Sequence, residues 1–375
     1  MSGPTRDEPY MRRALDLAAR GMGRVEPNPM VGCVVVSGDR IIGEGWHARC
    51  GGPHAEVVAL GDAGPAARGA ELFVTLEPCC HHGKTPPCTD AILAAGIRRV
   101  VAAVVDPCPH VAGKGIDALR RAGVEVEVGV LGEAARRLNA AFFKRQATGL
   151  PLVIAKWAMT LDGRLATAAG DSRWISSEAS RRRVHEVRRA CDAVVVGART
   201  AAVDEPSLTV RHVDPLPERG QPTRVVLDGH LALDAAREPA RSAAAVPLIV
   251  YTTDATLAAR PDAAAALRQA GCEVVGVPPG DGGVSLPAVL EDLGRRGMSR
   301  ILVEGGARLL GSFVAGGWVD RVMVFVAPRV LASTDAIACL MGPPGRALAE
   351  AIDVVDVSVE HVGPDLLVQG RLGDF

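Results

Sequence analysis

Aromatic side chains and surplus basic charge are both scarce in this sequence. Aromatic residues make up 3% of its 375 residues, and the formal net charge is −1. Grooves for single-stranded nucleic acid depend on cations and on aromatic platforms for base stacking. We therefore expect no nucleic acid partner.

Long apolar runs are also missing. Runs such as "VVAAVV" have the length of a strand, far below the roughly 18 consecutive apolar residues of a membrane-spanning helix. The first residues, "MSGPTRDEPYMRRALDLAAR", carry charges throughout and lack the apolar block of a secretory signal. These patterns predict a cytoplasmic protein with no membrane partner.

Two further patterns are absent. The G-x-G-x-x-G turn of a dinucleotide-binding unit does not occur, so any nucleotide site must be built differently. Nine cysteines are an odd number, and four stand apart in apolar settings, where a small buried hydrophobic residue is the default interpretation: Cys33, Cys191, Cys272 and Cys339. A disulfide framework is not expected. The exception is the group Cys79, Cys80 and Cys88.

The order of strand and helix patterns indicates two α/β domains, in line with the length. Over residues 1–147 the patterns alternate from "VGCVVV" to "EAARRLNAAFFKR", which predicts a three-layer α/β/α domain with a mixed sheet. Gly149 and Pro151 interrupt the pattern, so we place a boundary near Thr148. Residues 148–375 alternate again and predict a second α/β domain with a mostly parallel sheet.

One cluster of residues points to metal chemistry. His54 and Glu56 stand two apart, and Cys79 and Cys88 flank "CHHGKTPP". A catalytic zinc ion takes three protein ligands and keeps a fourth position for water, whose pKa falls from about 15.7 to about 7. His54, Cys79 and Cys88 satisfy that number, and Glu56 is then the proton shuttle.

The two-residue spacing of His54 and Glu56 is compatible with only one arrangement around a metal ion. Helical residues two apart diverge by about 200° in azimuth, so they share a pocket only in a first turn whose N-terminal end faces the metal. Pro53 suits such a helix start before His54. Pro86 and Pro87 can likewise open a helix that carries Cys88, where the helix dipole favours a thiolate.

Other interpretations of the cluster remain open. His-x-Glu followed by Pro-Cys is typical of zinc deaminases, but eight residues separate the cysteines here instead of two. His54 could be a core histidine, and the cysteines could form a closed structural zinc site with His81 or His82. The corresponding functions are a zinc deaminase acting on nucleosides or nucleic acid bases, with an unrelated second domain, and a non-catalytic zinc-stabilised interaction module. Glu56 argues against the module, because a structural site has no use for an unligated carboxylate.

The motifs in their order resemble the bifunctional deaminase/reductase family of riboflavin biosynthesis, over nearly the full length. They are "PNPMVGC", "GEGWH", "PHAEV", "VTLEPCCHHGKTPPC", "KWAMTLDGR", "WISS", "DEPSLTVR" and "VEGGARLLGSF". The resemblance implies a cytidine-deaminase-like domain followed by a dihydrofolate-reductase-like domain. It also implies Zn²⁺ and NADPH as cofactors, a phosphoribosyl pyrimidine as substrate, and a homodimer or larger homo-oligomer.

The resemblance assigns roles in the first domain. His54, Cys79 and Cys88 match the zinc ligands, and Glu56 matches the proton-transferring residue. The positions that line the base and ribose-phosphate pocket are Asn28, His47, His81, Lys84 and Asp106. Lys84 would supply a point charge for phosphate, although a solvated loop lysine is the alternative. Two positions depart from the family pattern: Cys80 stands where Ser is usual, and Cys108 where Asn is usual.

In the second domain the resemblance implies reduction of the ribosyl group to ribityl. Matching cofactor positions are Ala158, Trp174, Thr200, Asp204, Gly306, Ala307, Arg308, Leu309, Leu310, Gly311 and Ser312. Matching substrate positions are Ser172, Arg188, Leu208, Arg211 and Glu304. "RILVEGGARLLGSF" predicts strand, glycine turn and helix, and free N–H groups at such a helix start bind phosphate oxygens, although the glycines alone could simply close a turn. Arg188 lies on a predicted helix whose default is a solvated face, and the motifs make it a phosphate-clamp candidate.

Overall fold

The chain divides after Thr148 in a computed structural model that describes residues 6–81, 86–108, 111–213, 216, 219–343 and 347–375. The two units are Met1–Thr148 and Gly149–Phe375. Gly149 has φ 74, a backbone region that glycine adopts without steric cost, and Pro151 follows two residues later. The helix that ends the first unit therefore stops here. Each unit is described by itself.

A five-stranded sheet organises the first unit. Its strands are β1 (Gly32–Ser37), β2 (Arg40–Trp46), β3 (Glu71–Val74), β4 (Arg99–Ala102) and β5 (Glu125–Val128). Their order is β2-β1-β3-β4-β5, with β1 antiparallel to both neighbours and β3, β4 and β5 parallel to one another. The predicted mixed sheet is confirmed.

Helices cover this sheet and close its core. They are α1 (Glu8–Ala19), α2 (Ala55–Ala63), α3 (Cys88–Ala95), α4 (Lys114–Arg121), α5 (Gly132–Leu138) and α6 (Ala140–Thr148). The buried cluster between strands and helices includes Val35, Ala59, Leu72, Ile92 and Leu119. Burying such side chains is the main stabilising contribution to the unit.

Glycine on β2 lets the N-terminal end of α2 approach the sheet. A Cβ atom at Gly45 would lie 2.3 Å from the carbonyl oxygen of Ala55, which no side chain could tolerate. This close contact fixes the distance between the sheet and the turn that contains His54 and Glu56.

The second unit is built on a larger sheet. The strands among its described residues are β6 (Leu152–Thr160), β7 (Arg164–Ala166), β8 (Ala193–Gly197), β9 (Thr223–Leu227), β10 (Leu248–Thr253), β11 (Glu273–Val277), β12 (Pro279–Gly280), β13 (Gly283–Val284), β14 (Arg300–Val303), β15 (Arg321–Ala327), β16 (Ile337–Ala338), β17 (Val355–Val362) and β18 (Asp365–Arg371). Nine form one sheet in the order β11-β10-β9-β8-β14-β6-β15-β18-β17. The pairs from β11 to β15 are parallel, and β18 and β17 are antiparallel additions. The predicted, mostly parallel sheet is confirmed.

Helices lie on both faces of that sheet. They are α7 (Glu178–Arg189), α8 (Ala198–Asp204), α9 (Asp254–Ala259), α10 (Pro261–Gln269), α11 (Leu286–Arg295) and α12 (Ala307–Ala315). Separate buried clusters lie on the two faces, one including Val195 and Phe313 and the other Val194 and Val250. Strands covered on both faces are apolar throughout, as "AVVVG" is in β8. Open parallel sheets place their sites beyond the carboxyl ends of such strands.

Two features differ from the sequence-based expectation. The pattern predicts one helix over "EAARRLNAAFFKR", whereas Asn139 separates α5 from α6. Its buried side chain accepts the Met30 N–H at 2.8 Å and donates to the Met30 carbonyl at 2.8 Å. The hairpin of β17 and β18 was not predicted. Within the described residues, no helix has the length and apolar character needed to cross a membrane.

Candidate active sites

The three predicted metal ligands converge in the first unit. His54 caps the N-terminus of α2, Cys88 is the first residue of α3, and Cys79 follows β3. Their ligand atoms all lie within 4.8 Å of one another. His54 Nδ1 is 3.2 Å from Cys88 Sγ and 3.5 Å from Cys79 Sγ. One imidazole and two thiols form a donor set that would hold a zinc ion, and a catalytic zinc ion with three protein ligands binds water as its fourth.

The two thiols of this group have opposite shifts in pKa. Hydrogen bonding with Cys88 lowers the pKa of Cys79 to about 4, and the same contact raises the pKa of Cys88. The backbone N–H of Cys88 also donates to Cys79 Sγ at 3.4 Å. Because a metal ion binds cysteine as thiolate, a dication releases the remaining proton.

Glu56 lies beside the ligands on the first turn of α2. Its side chain is 3% exposed, and burial raises its pKa to about 7. The carboxyl group hydrogen-bonds the Cys88 thiol. A carboxyl group that titrates near neutral pH can both accept and return a proton, which suits the predicted shuttle. A nearby dication would favour its charged form.

Removing one thiol tests the ligand assignment. We expect Cys88→Ser to lower the zinc content of the purified protein well below one ion per chain, because a hydroxyl is a poor replacement for a thiolate ligand. The measurement is metal analysis after dialysis. Cys80→Ser is the matched control, and it should keep its zinc. Full occupancy in Cys88→Ser would mean that Cys80 or a histidine is a true ligand.

Asn28 and His47 lie next to the ligand group. His47 Nδ1 is 3.0 Å from the Pro53 carbonyl oxygen, which can only accept, so this nitrogen carries the proton. His47 Nε2 therefore accepts from Asn28 Nδ2 at 3.2 Å. The rings of His47 and His54 meet edge to face, with centroids 5.5 Å apart. Burial lowers the pKa of His47, so the ring stays neutral at pH 7.

Asp106 is the third predicted substrate residue near this pocket. It follows β4 and is 8% exposed. Burial raises its pKa to about 6, and the charge of His81 opposes that shift. Asp106 Oδ1 accepts the backbone N–H of Cys108 at 2.8 Å, a bond that is independent of the Cys108 thiol. Lys84 lies outside the described residues.

In the second unit Arg188 and Glu304 form a bidentate ion pair. The distances are 2.5 Å from Nε to Oε1 and 2.8 Å from Nη2 to Oε2. Their side chains are 12% and 11% exposed. Arg188 Nη1 also donates to the Thr209 carbonyl at 3.1 Å. The helix face of Arg188 is thus not a solvated one, and most of its guanidinium is committed within the protein.

Two of the remaining predicted substrate residues, Leu208 and Arg211, lie on either side of Thr209 in the chain. Leu208 is 2% exposed and its side chain belongs to the apolar core, so only its backbone can reach a ligand. The backbone N–H of Arg211 donates to His185 Nδ1 at 3.2 Å, and the residue itself is exposed. Arg211 is therefore better placed than Arg188 to offer its guanidinium to a phosphate. Ser172 lies in the loop after β7.

Two predicted cofactor residues, Gly306 and Thr200, come together beyond β8 and β14. Gly306 caps α12, and a Cβ there would lie 3.3 Å from Thr200 Oγ1. Asp204, on α8 like Thr200, accepts a hydrogen bond through its carbonyl from Arg173. Trp174 is 61% exposed, with the guanidinium of Arg181 4.4 Å from its ring centroid.

Other members of the predicted cofactor set are placed by the fold. Ala158 lies on β6. The Leu310 side chain is 0% exposed, and a Cβ at Gly311 would lie 2.1 Å from the Met341 carbonyl oxygen. These two positions of α12 therefore face the protein interior. The free backbone N–H groups of the first turn remain the features suited to phosphate.

Three charged or polar residues near these sites were not predicted. Lys156 lies on β6, where burial lowers its pKa and the charge of Glu304 opposes the shift. The sequence contains a signal for this residue, because a lysine is unusual within an apolar run such as "VIAKWAM". Burial lowers the pKa of His185 to about 4, so it is neutral at pH 7. Glu77, in "TLEPCC", is 3% exposed. Nothing in the local pattern distinguishes His185 or Glu77.

Comparison with known proteins decides the family. Residues 151–368 match the family described as RibD C-terminal domain, and residues 4–104 match the cytidine and deoxycytidylate deaminase zinc-binding region. The riboflavin biosynthesis protein RibD of Aquifex aeolicus is 44% identical over 363 residues, 96% of this chain and 97% of that protein. The chain belongs to the RibD family. It is a bifunctional deaminase and reductase of riboflavin biosynthesis, with Zn²⁺ and NADPH as cofactors.

Other RibD proteins extend the likeness. The Escherichia coli RibD is 40% identical over 96% of this chain and 98% of its own length. The structure of Acinetobacter baumannii RibD covers 98% of both chains at 35% identity, with a TM-score of 0.85. A Thermotoga maritima structure, described as a diaminohydroxyphosphoribosylaminopyrimidine deaminase/5-amino-6-(5-phosphoribosylamino)uracil reductase, has a TM-score of 0.79 at 35% identity, with 98% of both chains covered. The resemblance seen in the motifs is confirmed along the whole chain.

Proposed function

We propose that the first unit hydrolytically deaminates 2,5-diamino-6-(5-phosphoribosylamino)pyrimidin-4(3H)-one, with His54, Cys79 and Cys88 as the zinc ligands. The observation that carries the proposal is the three-ligand group with a buried carboxyl on the same helical turn as the histidine. Zinc bound there supplies a water acidic enough to act near neutral pH. Glu56, buried on that turn, would take up a proton and return it at the reaction centre.

The pocket residues orient the pyrimidine in this proposal. The neutral His47 and the amide of Asn28 offer hydrogen bonds beside the metal ligands. Asp106, His81 and Lys84 would also contact the substrate, and Lys84 would supply a positive charge for the ribose phosphate. Base recognition by fixed polar groups gives specificity, because a mismatched substrate leaves them unpaired.

For the second unit we propose reduction of the ribosyl group to ribityl by NADPH. Gly306 and the first turn of α12 would bind a cofactor phosphate through free N–H groups, next to Thr200 on α8. Glu304, held by Arg188, would meet the sugar. Arg211 would bind the substrate phosphate, for which a guanidinium offers two parallel hydrogen bonds.

One experiment tests both halves. The diaminopyrimidinone phosphate is supplied with NADPH and the zinc-loaded protein, and ammonia release and loss of nicotinamide absorbance are followed together. We expect ammonia first and NADPH oxidation after it. Cytidine and a single-stranded oligonucleotide are the comparison substrates. Deamination of either, with no response to the diaminopyrimidinone, would support a nucleoside or nucleic acid deaminase instead.

We also propose that the protein is a homodimer or larger homo-oligomer, and that β17 contributes to its interface. Three valines that alternate along this sheet-edge strand are exposed: Val355 by 46%, Val357 by 54% and Val359 by 59%. Exposed apolar edge strands pair readily with a second chain. We expect Val357→Lys to shift the sedimentation coefficient toward the monomer. An unchanged value would place the interface elsewhere.

The cytoplasm is the proposed location. All nine cysteines are free, and two of them are proposed metal ligands, a state of cysteine that is typical of a reducing compartment. Fractionation of cells that express the chain would test this placement.

A further inference from the structure

Among the described residues of the first unit, four backbone N–H groups converge on one buried carboxylate. Glu77 Oε2 accepts from Asp106 at 3.1 Å and from Gly113 at 2.9 Å. Glu77 Oε1 accepts from Gly115 at 2.9 Å and from Ile116 at 3.3 Å. The mechanism proposed above makes no use of Glu77.

Three of these donors belong to the start of α4. Gly113 caps the helix, and Gly115 and Ile116 lie in its first turn, where N–H groups have no partner within the helix. The carboxylate satisfies them and lies at the positive end of the helix dipole. The same helix start packs closely, because a Cβ at Gly115 would lie 2.1 Å from the Pro78 carbonyl oxygen.

The fourth donor, Asp106, belongs to the proposed substrate pocket. Glu77 stands two residues before Cys79, and its own N–H donates to the Val104 carbonyl at 2.9 Å. The residue therefore joins the segment that carries a metal ligand to the segment that carries Asp106. The bond to the Asp106 N–H fixes the backbone from which the Asp106 carboxyl projects.

We propose that Glu77 is a positioning residue for deamination. It acts through Asp106, whose backbone it holds in a fixed position relative to the segment that carries Cys79. This inference rests on the proposed deaminase function. In this proposal Glu77 binds neither substrate nor metal. It contributes by fixing the geometry of the pocket, because several weak polar contacts to a substrate form together only when the side chains are held in place.

Glu77→Gln is the informative substitution. Glutamine has nearly the same size, but its NH₂ group would face two N–H donors, so it cannot accept all four bonds. We expect KM for the diaminopyrimidinone to rise about ten- to a hundredfold, the range seen when a group that orients a functional side chain is lost. Zinc content and NADPH oxidation with the deaminated intermediate should stay at the level of the unmodified protein. Glu77→Asp keeps the carboxylate on a shorter side chain and should give an intermediate KM. It also provides the test if the glutamine variant is insoluble.

Glu71→Gln is the matched control. Glu71 lies on β3, is 1% exposed, and pairs with Arg99 at 2.8 Å on a different part of the sheet. We expect this variant to unfold at a lower temperature with an unchanged KM. If Glu77→Gln behaves in the same way, its role is structural and the proposal fails.

A double-mutant cycle gives the decisive readout. If Glu77 acts through Asp106, the double variant Glu77→Gln/Asp106→Ala has the KM of Asp106→Ala alone. Additive effects would overturn the proposal, and loss of zinc in Glu77→Gln would show that it positions Cys79 instead. The unmodified protein separates the two hypotheses: if it releases no ammonia, the proposed function fails, whereas normal release with no change in Glu77→Gln refutes this inference alone.

Discussion

Glu56→Gln is expected to reduce ammonia release by about a hundred- to ten-thousandfold, the usual contribution of a general acid–base group. Glutamine preserves the shape of the side chain but can neither take up nor return a proton. Glu56 is 3% exposed and lies beside the ligands, without belonging to the three-ligand group identified among the described residues. The variant should therefore keep one zinc ion per chain.

Two readouts check that result. Zinc is measured by metal analysis, and the reductase unit is assayed with the deaminated intermediate and NADPH, which should be consumed at the normal rate. Glu71→Gln, a buried carboxylate change in the same unit, should retain ammonia release. Loss of zinc in Glu56→Gln would mean that Glu56 is itself a ligand, and full activity would remove it from the proposed mechanism.

The metal group was predictable because its residue types are rare and their spacing is restrictive. A histidine two residues before a glutamate fits one pocket only at a helix start, and the structure places His54 at the N-cap of α2. Cys88 opens α3 directly after Pro87, as the prolines predicted. Chemistry that depends on the first turn of a helix can be inferred from local sequence.

Partners that are distant in the chain were not predictable. Arg188 and Glu304 are 116 residues apart, and the sequence motifs indicate each as a substrate residue without indicating that the two form an ion pair. Asn139 interrupts a helical pattern because it binds Met30, 109 residues away. Local propensity carries no information on such contacts, which depend on the sheet order.

The hairpin at the C-terminal end of the second unit is a different case. The stretch "VDVSVEHV" alternates apolar and polar residues, which is the pattern of a strand with one apolar face. The signal was therefore present in the sequence. The pattern does not specify burial: β17 lies at the edge of the sheet, and its Val355, Val357 and Val359 are exposed.

The second large effect is expected at Glu304. This carboxylate balances two cations, Arg188 through a bidentate pair and Lys156 through its nearby charge. Glu304→Gln leaves both cations without the negative charge that balances them. Breaking a buried ion pair by removing one partner costs about 3–5 kcal/mol. We expect the free energy of unfolding of the second unit to fall by that amount, and NADPH oxidation to be lost.

Arg188→Met provides the comparison that identifies the cause. It removes the same ion pair but leaves Glu304 with Lys156, so the charges stay balanced and the loss of stability should be smaller. Urea unfolding followed by tryptophan fluorescence reports this unit, because Trp157, Trp174 and Trp318 belong to it and only Trp46 belongs to the first. Ammonia release should persist in both variants. If Arg188→Met were as destabilising as Glu304→Gln, the hydrogen bonds of the pair rather than its charge balance would hold this site together.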